Sequence, residues 1–92
     1  MRVEIDCIKK NPRQDPYHAI QEVGGHKAGG GRWCLPLSEA VAGAESGKWQ
    51  FYVSQGARTI NVVVATRLGH KYLKTIADGE RPDNLLSLRE CR

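Results

Sequence analysis

The chain has 92 residues, of which 40% are hydrophobic and 26% are charged, and its formal net charge is +4. This length leaves room for one domain, residues 1–92, and the composition is typical of a globular chain rather than a disordered one. The charged opening segment does not fit a signal peptide, and no apolar run approaches the roughly 18 to 20 residues of a membrane span. We therefore expect a cytoplasmic protein with no membrane partner.

The first third of the chain predicts one strand and one helix. Residues 3–7 alternate apolar and acidic side chains, which is the period of a half-buried strand. Asp15 is a good N-cap and Pro16 suits the first helical position, so we expect a short helix that runs to about Val23. Gly24 then supplies the left-handed residue that ends such a helix.

A second helix is predicted between Pro36 and Gly47. Its apolar residues fall at positions i, i+3, i+4 and i+7 and form one stripe: Leu37, Ala40, Val41 and Ala44. Most of these side chains are small, so this helix can lie close to a sheet.

Three strands follow, at residues 48–54, 58–66 and 71–75. Turns at Gln55-Gly56 and Leu68-Gly69 separate them, which indicates an antiparallel meander. Leucines in the tail are expected to cover an open edge of the core. The predicted fold is therefore a small single α+β domain, β-α-α-β-β-β, with both helices on one face of an antiparallel sheet.

The glycine-rich stretch "VGGHKAGGGRW", residues 23–33, resembles a phosphate-binding loop only superficially. It has no lysine followed by serine or threonine, which a P-loop needs. A helix is predicted before it and none directly after it, which does not fit a dinucleotide-binding turn. We expect a loop whose following Trp33 anchors it in the core.

The positive charge is unevenly distributed. Residues 1–47 carry six basic and six acidic side chains, whereas residues 48–92 carry eight and four. From Ser46 to Ala77 there is no Asp or Glu, and such a basic window favours an anionic partner.

Period-2 geometry places polar and basic residues of the three strands on the face opposite the core. This face and its ends comprise Lys48, Gln50, Tyr52, Asn61, Tyr72, Lys74, Arg58, Arg67 and Lys71. Aromatic rings on a basic surface are a common way to hold single-stranded nucleic acid, so RNA or single-stranded DNA is the first predicted partner. The same tyrosines could instead anchor a protein partner, and an ordinary solvated sheet face would have a similar composition.

The chain contains no motif that argues for an enzyme or a cofactor, so the predicted function is a small non-enzymatic binding domain. An enzyme built around the glycine-rich stretch and the acidic turn is the third alternative, after nucleic-acid binding and protein binding. Asp78, Glu80 and Asp83 cluster in a turn-rich segment, which is usually solvated. A zinc site made by His18, His26, Cys34 and Cys7 would lack the tight ligand pair of common structural sites, so we expect no metal.

The three cysteines, Cys7, Cys34 and Cys91, form no C-x-x-C motif. The first strand and the chain end could bring Cys7 and Cys91 together at one sheet edge. In a reducing cytoplasm we nevertheless expect all three to be free thiols.

Several strings resemble a bacterial family known as domain of unknown function 3892. They are "CIKK" at 7–10, "PYHAI" at 16–20, "GGRW" at 30–33, "AGAESGKWQFYV" at 42–53, "VVAT" at 63–66, "KYLKTIADGE" at 71–80 and "NLLSL" at 84–88, with Cys91. The resemblance covers nearly the whole chain and implies a small bacterial single-domain protein. It implies no activity and no catalytic residue. The stretch "CLPLSEA" at 34–40 departs from it by lacking a polar cap before the second helix.

Overall fold

The computed structural model describes residues 2–11, 13, 18–26, 29–79 and 83–91. Within them the chain forms eight strands and two short helices. In chain order these are β1 (Arg2–Glu4), β2 (Cys7–Lys10), β3 (Ile20–His26), β4 (Arg32–Pro36), α1 (Leu37–Glu45), β5 (Gln50–Gln55), β6 (Arg58–Arg67), β7 (His70–Thr75), α2 (Asp83–Leu86) and β8 (Arg89–Glu90). No helix among the described residues is long and apolar enough to cross a membrane.

The strands form two four-stranded sheets. The first sheet has the order β1-β5-β6-β7 and the second has the order β4-β3-β2-β8. The β1–β5 and β2–β8 pairs are parallel, and the remaining pairs are antiparallel. Ile5 and Asp6 carry the chain directly from one sheet to the other, since the Ile5 N–H donates to the Tyr52 carbonyl at 2.8 Å and the Asp6 N–H donates to the Gly24 carbonyl at 2.9 Å.

The core lies between the sheets and contains side chains from both. Ile8 and Val23 of the second sheet join Phe51, Val53 and Leu73 of the first in one buried cluster. Helix α1 packs against β3 and β4 of the second sheet and β6 and β7 of the first, and α2 contacts β7 and β2. Each helix therefore bridges the two sheets.

The predicted β-α-α-β-β-β fold with one antiparallel sheet and both helices on one face is wrong. The proposed N-cap segment 14–17 lies outside the described residues, but residues 20–23 of the predicted first helix belong to β3, which pairs with β2 on one side and β4 on the other. The physical reason is that the backbone of this strand pairs with a neighbouring strand along both of its edges, so tertiary pairing overrides a short local helix signal.

Gly24 and Gly25 do not end a helix, as was predicted for Gly24, but lie within a strand. Both are buried within β3. A Cβ added at Gly25 would collide with the Glu4 carbonyl oxygen, so this glycine allows the crossing between the sheets to pass directly over β3.

Helix α1 and strands β5, β6 and β7 agree with their predictions, whereas α2 and β8 were not predicted. Helix α1 begins at Leu37, with Pro36 as an N-cap that makes no side-chain hydrogen bond, and it is followed by Gly47 at a φ of 79°. The β5–β6 and β6–β7 pairs are antiparallel hairpins closed by the predicted turns. Gly56 has a φ of 60°, and Leu68 and Gly69 have φ values of 50° and 81°, which suit two-residue hairpin turns.

Candidate functional site

One face of the first sheet points away from the core, and we call it the outer face. Its register pairs Arg2 with Gln50 across β1 and β5, and Tyr52 with Asn61 across β5 and β6. The β6–β7 register adds Val63 opposite Lys74. Around Tyr52 the outer face is formed by Arg2, Glu4, Gln50, Tyr52, Asn61, Val63 and Lys74, and the β6–β7 register continues it to Ala65 and Tyr72.

Arg2, Tyr52 and Asn61 form a connected cluster at the centre of the outer face. The Arg2 guanidinium carbon lies 4.5 Å from the centroid of the half-buried Tyr52 ring. An Arg2 Nη2 atom also donates a hydrogen bond to Asn61 Oδ1 at 3.1 Å. The guanidinium is thus held over the ring by a cation–π contact and a hydrogen bond, while the Arg2 side chain stays exposed.

Two lysines lie at the borders of this cluster. Lys74 Nζ donates to the Gly79 carbonyl at 2.8 Å, and because an ammonium has three donors, it can still bind a second acceptor. Lys48 lies just before β5, is exposed, and places its Nζ atom 4.7 Å from the centroid of the Trp49 ring. Each positive charge is therefore partly positioned by its surroundings.

Exposed apolar side chains lie on the same face. Val63 is 37% exposed and Ile76 is 62% exposed. The Ile76 N–H donates to the Asn61 carbonyl at 2.9 Å, which places Ile76 directly beside the Arg2–Tyr52–Asn61 cluster.

Two of the predicted site residues are not part of the accessible outer face. Tyr72 is only 4% exposed, and its ring stacks against His70 with 6.4 Å between centroids. Lys71 lies on the opposite side of β7, where its Nζ atom forms an ion pair with Glu45 of α1 at 2.9 Å. Strand alternation alone could not reveal either the burial or the ion pair.

Arg58 and Arg67 are both exposed, but they occupy the two ends of β6. A ten-residue strand is roughly 30 Å long when extended, so these cations cannot contact one small ligand together. Gln50, Tyr52, Asn61 and Lys74 are the predicted residues that the structure brings together, whereas Lys48 precedes β5 and has its Nζ atom over the Trp49 ring.

Sequence reasoning missed Arg2. Alternation within residues 2–5 places Arg2 on the polar side of β1, but it does not indicate which strand β1 joins. Only the parallel β1–β5 pairing shows that the guanidinium covers Tyr52.

The sequence suggested three other places to look for chemistry: the potential metal ligands, the glycine-rich stretch and the acidic turn. Among the described residues no three His, Cys, Asp or Glu side chains could hold a metal ion together. Gly29, Gly30 and Gly31 belong to the connection between β3 and β4, where an added Cβ would meet nothing within 4 Å. Asp78 accepts hydrogen bonds from the Thr75 N–H and hydroxyl and from the Asn84 N–H, which closes the turn after β7. Glu80 and the Asp83 side chain lie outside the described residues.

Comparison with protein families finds one that matches the chain over residues 4–89, and its description is "Protein of unknown function (DUF3892)". The resemblance to this family is confirmed. No curated protein and no solved structure matches the chain.

Proposed function

The chain belongs to the DUF3892 family, and because that family has no described activity, we propose a function from the outer face itself. In this proposal the protein is a non-enzymatic binding domain for single-stranded RNA or DNA. One base stacks on the exposed side of the Arg2 guanidinium, with Tyr52 behind it. Arg2, Lys48 and Lys74 contact the neighbouring phosphates.

The observation that carries this proposal is the cation–π contact between Arg2 and Tyr52, in which Asn61 holds the guanidinium in place. Bases commonly stack on aromatic rings and on arginine guanidinium planes, and a preoriented plane loses little side-chain entropy when a base binds. The charge distribution supports the same ligand, since the window from Ser46 to Ala77 contains no acidic residue. Glu4 is the acidic member of the outer face.

The expected affinity is modest and depends strongly on salt. Contact with about three phosphates predicts that log K falls against log salt concentration with a slope of about −2 for a single strand. A ligand held mainly by apolar contacts would show almost no slope.

Fluorescence anisotropy with labelled 20-nucleotide oligo(U) and oligo(dT) tests the proposal. The double variant Arg2→Gln with Lys48→Gln should weaken binding on the order of tenfold at about 50 mM salt and reduce the slope to about −0.7. The matched control is Lys9→Gln with Arg13→Gln, which removes the same charge from exposed positions outside the outer face. The control should bind as the parent does.

Substitutions at Tyr52 separate stacking from charge. Tyr52→Leu should weaken binding by about 0.5 to 1 kcal/mol, because the Arg2 guanidinium loses the cation–π contact that orients it for the base, whereas Tyr52→Phe keeps the ring and should bind nearly as the parent does. Failure of the parent protein to bind either oligonucleotide at about 50 mM salt would exclude the proposed function.

Val63 and Ile76 favour a second candidate, a protein-interaction surface on the same face. Their exposure next to Tyr52 produces a patch with an aromatic centre and an apolar border, as at protein interfaces. Binding that survives high salt and is abolished by Ile76→Asp, but not by Arg2→Gln, would select this alternative.

A cytoplasmic location stays a prediction within this proposal. A disulfide joins Cys7 and Cys91, so the expectation of free thiols is wrong for these two residues. This bond makes the location testable, because disulfides are rare in reducing compartments. Rapid alkylation of intact cells followed by mass spectrometry shows whether the bond is present where the protein resides.

A further inference from the structure

One row of the outer face runs across three strands, with a carboxylate at one end and an amide at the other. Glu4 of β1 lies beside Tyr52 of β5, and Tyr52 lies beside Asn61 of β6. Neighbouring strands are about 4.8 Å apart, so the backbones of the two end residues are roughly 10 Å apart. The Arg2 guanidinium covers the ring between them, with its carbon 4.5 Å from the ring centroid. A base that stacks on Arg2 therefore lies between the positions of Glu4 and Asn61.

The Glu4 carboxylate is available to a ligand. Arg2 lies two positions away on the same face of β1, but its guanidinium donates to Asn61 Oδ1 at 3.1 Å. Among the residues that the structure describes, no hydrogen bond or ion pair involves the Glu4 carboxylate. A negative charge on this face repels phosphates, so it favours binding only where it accepts hydrogen bonds from another part of the ligand.

Asn61 offers the complementary group at the other end of the row. Because a guanidinium can only donate, its hydrogen bond to Asn61 identifies the end of the amide that carries the oxygen. The two N–H donors of Asn61 Nδ2 are not used by this contact, and the residue is exposed. The row thus has hydrogen-bond acceptors on one side of a stacked base and donors on the other.

Guanine is the base whose Watson–Crick edge matches this order of groups. The edge has two adjacent donors, N1–H and the N2 amino group, followed by the O6 acceptor. Adenine and cytosine each have one amino donor next to a ring-nitrogen acceptor, and uracil has one donor between two carbonyl acceptors. The two oxygens of an ionised carboxylate only accept, so they can bind both guanine donors but are repelled by an acceptor on the edge of each other base.

We propose, on the basis of the function proposed above, that the outer face selects guanine in single-stranded nucleic acid and that Glu4 determines this specificity. The guanine base stacks on the Arg2 guanidinium. The Glu4 carboxylate accepts hydrogen bonds from guanine N1–H and from the N2 amino group, and the Asn61 amide donates to O6. Hydrogen bonds to a carboxylate are charge-assisted, and a bidentate pair discriminates against the wrong base by about fivefold or more.

Anisotropy measurements with four labelled 20-nucleotide RNAs at about 50 mM salt test this selectivity. The first RNA is oligo(U), and in the others every fifth uridine is replaced by guanosine, inosine or adenosine. Inosine keeps N1–H and O6 but lacks the N2 amino group, so it removes one of the two hydrogen bonds to Glu4. The parent protein should bind the guanosine RNA about tenfold more tightly than oligo(U) and the inosine RNA with intermediate affinity. The adenosine RNA should bind within about twofold of oligo(U).

Glu4→Gln separates base recognition from folding. A glutamine amide presents a donor in place of one acceptor, so the preference for the guanosine RNA over the adenosine RNA should fall from about fivefold or more to less than about twofold. The same variant should bind oligo(U) as tightly as the parent or up to about twofold more tightly, because a negative charge near the phosphates is removed. An unfolded variant would instead lose affinity for every RNA.

Glu39→Gln is the matched control. It removes the same charge from an exposed position in the first turn of α1, outside the outer face. It should keep the guanosine preference of the parent, and circular dichroism checks that both variants are folded.

The results that overturn the guanine site differ from those that exclude the proposed function. Equal affinity of the parent for all four RNAs would overturn guanine selection and leave single-strand binding intact. A guanosine preference that Glu4→Gln retains would overturn the role of Glu4, as would an inosine RNA that binds as tightly as the guanosine RNA. Failure of the parent to bind any of the four RNAs would exclude the proposed function and the guanine site together.

Discussion

Gly25 provides a sharp test of the two-sheet arrangement. Alanine at this position adds one methyl group to a buried residue of β3. That methyl would collide with the Glu4 carbonyl oxygen and would lie 3.0 Å from Trp33 Nε1 and 3.2 Å from Trp33 Cε2. Gly25 has no positive φ that would add conformational strain, so the expected effect is steric.

The stability that Gly25→Ala loses depends on which atoms must move to make room for the methyl group. Overpacking typically costs about 1 to 3 kcal/mol when side chains can adjust. Here the nearest atom belongs to the backbone of β1, and the adjacent Ile5 N–H is hydrogen-bonded to Tyr52. We therefore expect a loss of about 3 kcal/mol or more in the free energy of unfolding, which for a domain of this size lowers Tm by roughly 12 to 24 °C.

Urea and thermal unfolding followed by circular dichroism measure this loss. Gly29→Ala is the matched control, because its added methyl would meet nothing within 4 Å and its φ is not positive. It should be neutral or slightly stabilising, by about 0.4 to 1 kcal/mol. If Gly25→Ala unfolds within about 4 °C of the parent, the close crossing of the chain over β3 is refuted.

Three further predictions concern stability and are measured by the same unfolding experiments. Trp49→Ala should lower the free energy of unfolding by about 2 to 3 kcal/mol, since the partly buried indole packs against Phe51 and the core. A loss of less than about 1 kcal/mol would contradict that packing. Thr75→Val should cost about 1 to 3 kcal/mol, because the partly buried Asp78 and Asn84 side chains lose the buried Thr75 hydroxyl as their hydrogen-bond partner. Ser54→Val, at an exposed position of β5, is the neutral control. Replacing Cys7 and Cys91 together by serine should lower the free energy of unfolding by about 4.5 kcal/mol, as expected for a disulfide between residues 84 positions apart. An unchanged midpoint of the unfolding transition would show that the disulfide adds no stability.

Local sequence signals were sufficient for the central part of the chain. The strands β5, β6 and β7 are joined by two-residue turns, and α1 is followed by a glycine with positive φ. The interactions that define these elements connect residues close in sequence, so alternation and turn chemistry predict them. The same alternation correctly placed Tyr52 and Asn61 on one face.

The tertiary structure alone decided the second sheet and the composition of the candidate site. Strand β1 joins β5 nearly fifty positions later, and β2 pairs with the chain end, contacts that no local pattern specifies. Those pairings place Arg2 over Tyr52 and bring Cys91 to Cys7, whereas packing buries Tyr72. The physical reason is that alternation determines which side of a strand a residue occupies, but only long-range packing determines what covers that side.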